Sequence, residues 1–222
     1  MDDRIIKLIG EEALDKIKNT SVLLIGVGGV GGFILENLVR SGFTNITIVD
    51  GDVVETSNLN RQIISNAHNI GDKKVFVARD RAISINPNIQ IQVIDKFLLF
   101  NDIDDNFVKS YDYIIDACDT VSVKIALIRV AKQSKKRIIS CMGTANRMNP
   151  GLLKIKKLKD TFNDPLAKVL RHELRSDKDC LNTYVLCSEE NPLKQRELGT
   201  LAMVPMAAAS LICYKVIDDV IQ

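Results

Sequence analysis

Apolar residues recur along the chain with two different periods, and the alternation between them outlines a fold. Residues 4–18 carry Ile5, Leu8, Ile9, Ala13, Leu14 and Ile17 at helical spacing, which predicts one short helix around Gly10. Val22-Leu-Leu-Ile25 is a continuous apolar run, the pattern of a strand buried on both faces. A glycine cluster over 26–32 passes into a helix that stops near Ser41-Gly42. Residues 46–49 form a second strand ending at Asp50, and 73–85 a helix closed by Asn86-Pro87. Residues 89–94, 113–116 and 138–142 read as three further strands, with a helix over 122–135 between the last two.

Strand and helix therefore alternate up to about residue 142, which predicts an α/β, Rossmann-like, doubly wound and mostly parallel sheet. The C-terminal extension differs in character. It offers strands at 152–156 and 185–187, a charged helix at 164–175 with Pro165 in its first turn, and an apolar helix at 204–220. A length of 222 residues suits one domain with additions. The expected division is a nucleotide-binding core at about 20–142 and a substrate-binding part at about 143–222.

The core carries a phosphate loop. Gly26-Val-Gly28-Gly29-Val-Gly31 sets a G-x-G-x-x-G between a strand and a helix, where glycines allow close backbone approach and the helix start offers N–H groups. Asp50 follows at the end of the next strand, placed for ribose hydroxyls. That geometry serves NAD-dependent hydride transfer and ATP chemistry alike. The next segment separates them, because it holds Asp52, Asn58, Arg61, Gln62 and Lys74. Fixed cations near phosphates have no special use in hydride transfer, but they stabilise the charge that develops when an adenylyl group moves.

These residues together resemble the ubiquitin-activating-enzyme-like, ThiF-type adenylyltransferases. The matching elements are the glycine loop, Asp50-Gly-Asp52, Asn58-x-x-Arg61-Gln62, Gly71-x-x-Lys74, Asn86-Pro87 and Asp116-Ala-Cys-Asp119, in that order over residues 4–142. The resemblance implies ATP and Mg2+. Gly26, Gly28, Gly29 and Gly31 shape the loop around the phosphates, and Asp50 holds the ribose, with Asp52 and Gln62 also in the nucleotide site. Asn58, Arg61 and Lys74 contact phosphates, and Asp119 binds the metal. Arg4 stands where the family carries an arginine that reaches the partner's site in a homodimer, which completes a catalytic set of Arg4, Arg61, Lys74 and Asp119.

The C-terminal third narrows the resemblance. Sulfur-carrier activators of this family usually bind zinc with two C-x-x-C pairs, and the five cysteines here form none. Residues 161–175, Ser188-Glu-Glu190 and 199–204 are similar to the bacterial tRNA threonylcarbamoyladenosine dehydratases. That similarity implies ATP-dependent cyclisation of a threonylcarbamoyl group on the adenosine next to the tRNA anticodon, through an adenylated carboxylate. The alternative is an adenylyltransferase acting on the C-terminus of a ubiquitin-like sulfur carrier. A sulfur-relay or cysteine-desulfurase partner goes with the same family. No catalytic cysteine is carried over, since Val185 stands where some relatives have one. Cys187 reads as core, and Cys180, in a polar stretch, as the more reactive thiol.

Charge sharpens the substrate question. The whole chain is only +2, which excludes binding nucleic acid by bulk charge. Residues 154–178 alone hold eight Lys/Arg against four acids, so the positive charge is local. Lys168, Arg171 and Arg175 are the expected tRNA contacts, of the phosphate-binding kind. The N-terminus has no signal-peptide core, and the longest apolar run, 201–214, is short of the roughly 20 residues a bilayer requires. The expectation is a cytoplasmic protein with no membrane partner.

Overall fold

The computed structural model describes residues 2–222. In chain order the elements are α1 (Asp3–Ile9), α2 (Glu11–Asn19), β1 (Ser21–Ile25), α3 (Gly31–Arg40), β2 (Asn45–Asp50), α4 (Lys74–Ile85), β3 (Gln90–Asp95) and α5 (Asp105–Val108). They continue with β4 (Tyr113–Asp116), α6 (Val121–Gln133), β5 (Arg137–Cys141), β6 (Leu153–Lys157), α7 (Pro165–Glu173), α8 (Lys178–Leu181), β7 (Tyr184–Ser188) and α9 (Met203–Ile221).

Seven strands form one sheet in the order β3-β2-β1-β4-β5-β7-β6. All neighbours run parallel except β6, which pairs antiparallel with β7 at the edge. The doubly wound α/β architecture is thus the one that the apolar pattern predicts. Residues beyond 142 do not fold apart from the core: β7 pairs with β5, and α9 packs across α3.

The continuous apolar strands are explained by burial on both faces. Val22 and Leu24 of β1 point into a core shared with Ile34 and Leu38 of α3, Ala78 and Ala82 of α4, and Ala208 and Ile212 of α9. The alternate residues Leu23 and Ile25 point into a second core with Leu127 and Ile128 of α6 and Leu170 of α7. A period of two along each strand thus feeds two helical layers.

The N-terminal expectation is corrected. Residues 4–18 are two helices, because Gly10 adopts φ +83° and ψ 166° and breaks the chain direction. Glycine takes that conformation without steric cost, so the apolar spacing runs on while the helix does not. The four-residue helices α5 and α8 are too short to show a period, and the apolar pattern does not predict them. No helix among the described residues is long and apolar enough to cross a membrane.

Candidate active site

The order of strands fixes where a site can form. The connection from β1 leads outward to β2, whereas β4 leads the other way to β5, so the chain diverges between β1 and β4. A crevice opens beyond the C-terminal ends of such strands. Here it is a cavity of about 890 Å³, within the range of roughly 300–1,000 Å³ usual for ligand sites.

The glycine loop forms one wall. Gly26 has φ +86°, and a Cβ there would sit 2.8 Å from the Ala117 carbonyl oxygen. At Gly31 a Cβ would fall 1.8 Å from the Gly26 carbonyl oxygen, so this glycine lets α3 start directly against the end of β1. Gly31 serves that close packing and does not line the cavity, whereas Gly26, Gly28 and Gly29 do. A Cβ on Gly28 or Gly29 would meet nothing closer than 3.7 Å. The protein leaves that space open, as a cradle for phosphates requires. The orphaned, buried Oε1 of Gln62 also lies in the cavity lining and fits a polar ligand.

Asp50 braces the loop with both oxygens. Its Oδ2 accepts from the Val27 amide at 2.9 Å and its Oδ1 from the Asp52 amide at 2.9 Å. Each carboxylate oxygen keeps a second lone pair for a hydroxyl. Lys74 is buried at the start of α4 and pairs with Asp52 at 2.8 Å. Asn58 is buried too; its Oδ1 accepts from the Glu55 amide at 3.1 Å, which shapes the short turn that presents Arg61. The Arg61 guanidinium donates to the Ser57 carbonyl at 2.7 Å and to Asn60 Oδ1 at 2.9 Å, against the cavity wall.

Asp119 lies three residues beyond β4, exposed within the cavity lining. Below it, Asp116 Oδ1 accepts from the Cys118 amide at 3.2 Å and so holds the loop that carries it. Arg4 is exposed on α1 and does not line its own chain's cavity.

Residues far along the chain complete the lining. The segment Met142 to Arg147 follows β5, Asp164 to Leu166 form the start of α7, and Pro192 to Gln195 close the far side. No local motif marks Arg147 in the sequence. Only the pairing of β5 with β4 reveals that its loop lies beside that of Asp119.

The basic segment meets this end of the cavity through α7. Lys168 and Arg175 are exposed, but Arg171 is half-buried, with its guanidinium donating to Thr161 Oγ1. The two cysteine expectations divide. Cys187 is core, as its apolar run predicts, and its thiol is pushed up to about 11 chiefly by burial. Cys180 is fully buried on α8, and burial with the neighbouring Asp177 pushes it up to about 12, which corrects the expectation of a reactive thiol.

Known proteins share both sequence and fold with this chain. It is 37% identical to the tRNA threonylcarbamoyladenosine dehydratase of Bacillus subtilis over 85% of this chain and 74% of that protein. It is 35% identical to the enzyme of that name from Escherichia coli over 77% of this chain and 64% of the relative. The crystal structure of the Escherichia coli enzyme in complex with ATP superposes with a TM-score of 0.92 at 30% identity, covering 98% of this chain and 92% of the other. A complex of the same enzyme with AMP gives 0.93. A sequence model described as the ThiF family matches residues 2–220, and the chain belongs to the ThiF family.

Proposed function

We propose that this protein is an ATP-dependent tRNA threonylcarbamoyladenosine dehydratase, which closes a five-membered ring on the threonylcarbamoyl side chain of a tRNA adenosine. The observation that carries the reading is that an open glycine cradle, Lys74, Arg61 and Asp119 share one cavity with the segments contributed by the C-terminal third. The similarity to dehydratases over most of this chain supports it.

The reaction needs a carboxylate made electrophilic without loss to water. The carboxylate takes the adenylyl group from ATP, the co-substrate, with pyrophosphate leaving. A nitrogen or oxygen of the same side chain then attacks the acyl carbon, loses its proton and expels AMP as the ring closes, so no covalent enzyme intermediate is required. The backbone of Gly26 to Gly29 and the start of α3 cradle the phosphates, while Asp50 receives the ribose. Arg61 and Lys74 oppose the charge that accumulates on the α-phosphate and pyrophosphate. Asp119 would hold Mg2+, which would supply positive charge against the phosphates; such a site commonly uses only one or two protein carboxylates. Enclosure by Met142 to Arg147 and Pro192 to Gln195 aligns the acceptor and limits water.

The protein acts as a homodimer in which Arg4 enters the partner's cavity, and tRNA lies against Lys168 and Arg175. ATP–pyrophosphate exchange and AMP release, measured separately with threonylcarbamoyl-modified tRNA and with a ubiquitin-like carrier, test the reading. Turnover with the tRNA alone is expected. Turnover with the carrier alone would replace it by carrier activation.

A further inference from the structure

Two residues that line the cavity, Arg147 and Asp164, each carry a buried polar atom without a partner. Arg147 is 3% exposed and Asp164 is 3% exposed, yet Arg147 Nε and Asp164 Oδ2 make no hydrogen bond. The rest of each side chain is engaged. The Arg147 guanidinium donates to the Asn163 carbonyl at 2.8 Å and to the Glu190 carbonyl, and Asp164 Oδ1 caps α7 by accepting from the Ala167 amide at 3.0 Å. Each side chain is thus held rigidly with one polar atom left free, and neither free atom satisfies the other. Both residues line the cavity. A buried donor and a buried acceptor left unpaired are costly to a fold and call for a reason.

Their position supplies one. The glycine loop follows β1, Asp119 follows β4 and Arg147 follows β5, on three adjacent strands. At about 4.8 Å per strand, the Arg147 loop starts roughly 10 Å across the sheet from the phosphate cradle, with Asp119 between them. An adenylylated group must extend from the α-phosphate in one direction or the other, and this is the side walled by the C-terminal third.

We infer that Arg147 and Asp164 form the subsite for the acyl group of the acceptor, the Arg147 Nε–H donating to its carboxylate and Asp164 Oδ2 accepting from its amide N–H or hydroxyl. The inference rests on the dehydratase reading, since a threonylcarbamoyl group carries these partners on one short side chain. A carboxylate bound by a rigid guanidinium is oriented toward the α-phosphate before reaction, which is the entropic part of the acceleration. Burial lowers the proton affinity of Arg147 and raises that of Asp164, so each gains from a ligand that restores a partner.

Arg147→Lys and Asp164→Asn test the subsite with charge or shape retained. ATP affinity, read with a fluorescent ATP analogue, is expected to stay near wild type. So is the Tm of Asp164→Asn, which keeps the cap on α7, whereas Arg147→Lys gives up contacts to buried carbonyls and is expected to lower Tm. AMP formation with modified tRNA is expected to fall about tenfold or more in kcat/KM, as for loss of a hydrogen bond to a charged group. Normal kcat/KM in both variants, beside an active wild type, would overturn the inference. So would a joint fall in Tm and ATP affinity, which marks a purely structural pair. A wild-type protein that releases no AMP with modified tRNA but retains ATP binding fails the dehydratase reading instead.

Discussion

Lys124 Nζ lies 3.0 Å from Asp116 Oδ2, and both side chains are wholly shielded from solvent. Lys124 also donates to the Cys141 carbonyl at 2.7 Å, so one ammonium group ties the end of β4 to the end of β5 directly beneath the cavity. Burial opposes the charge on Lys124, but the attraction of Asp116 prevails and its pKa is raised. Breaking such a pair leaves one charge stranded in the interior. Lys124→Met is expected to destabilise the protein by about 3–5 kcal/mol, and adding Asp116→Leu should recover much of that loss. Denaturant midpoints of the two variants measure this; a single-variant loss below about 1 kcal/mol would mean that water reaches the pair.

Glycines of the phosphate loop separate into two kinds. Gly31→Ala sets a methyl group 1.8 Å from the Gly26 carbonyl oxygen, and the turn from β1 into α3 cannot close around it. A loss of at least about 2 kcal/mol in stability is expected. Gly28→Ala meets no protein atom within 3.7 Å, so Tm should hardly change. ATP affinity should fall about tenfold, because the methyl group stands where the phosphates approach. Thermal melts with and without ATP distinguish the two.

The same contrast shows what is legible before folding. The buried strand at β1, the glycine cluster and Asp50 lie within one stretch of chain, where local periodicity and spacing carry the information. Gly10 misleads because apolar residues keep their helical spacing across it, and only its positive φ breaks the helix. Arg147 is hidden for another reason. Its importance depends on β5 lying next to β4 and on the start of α7 folding back beside it, which are non-local facts.

Acid stability is expected to depend on Glu36. Burial pushes its carboxyl up, but hydrogen bonds from Arg81 and Arg40, each at 2.7 Å, outweigh this and leave its pKa below the ordinary value. A depressed folded-state pKa stabilises the protein above the unfolded value, and that stabilisation disappears as pH falls through the folded value. Glu36→Gln should therefore cost about 1 kcal/mol at neutral pH, allowing for screening at the partly exposed arginines. The difference should vanish at strongly acidic pH. A gap that stays constant across an acid titration of stability would assign the effect to packing.

The proposed homodimer, with Arg4 reaching the partner's cavity, predicts complementation. Arg4 lies outside its own cavity and Asp119 inside it. Arg4→Ala and Asp119→Ala subunits are each expected to be inactive, and their mixture to regain activity through one intact composite site per heterodimer. Activity of the mixture after verified subunit exchange measures this. Inactive mixtures would place the action of Arg4 within its own subunit.

Binding of tRNA should run along the exposed face of α7. Lys168 is exposed one helical turn beyond Asp164, which lines the cavity, and its amide donates to the Asp164 carbonyl at 3.0 Å. Arg175, past the end of the helix, extends that face, whereas Arg171 is tied to Thr161 and its replacement would confound binding with folding. Lys168→Glu with Arg175→Glu therefore makes the cleaner test. The KM for modified tRNA is expected to rise several-fold, with ATP affinity unchanged because the phosphate cradle lies across the cavity. For every phosphate that the variant no longer neutralises, the dependence of log K on log salt should also flatten by about 0.7–0.9. A double reversal that alters neither KM nor salt slope would leave α7 as a solvated face and move the tRNA surface elsewhere.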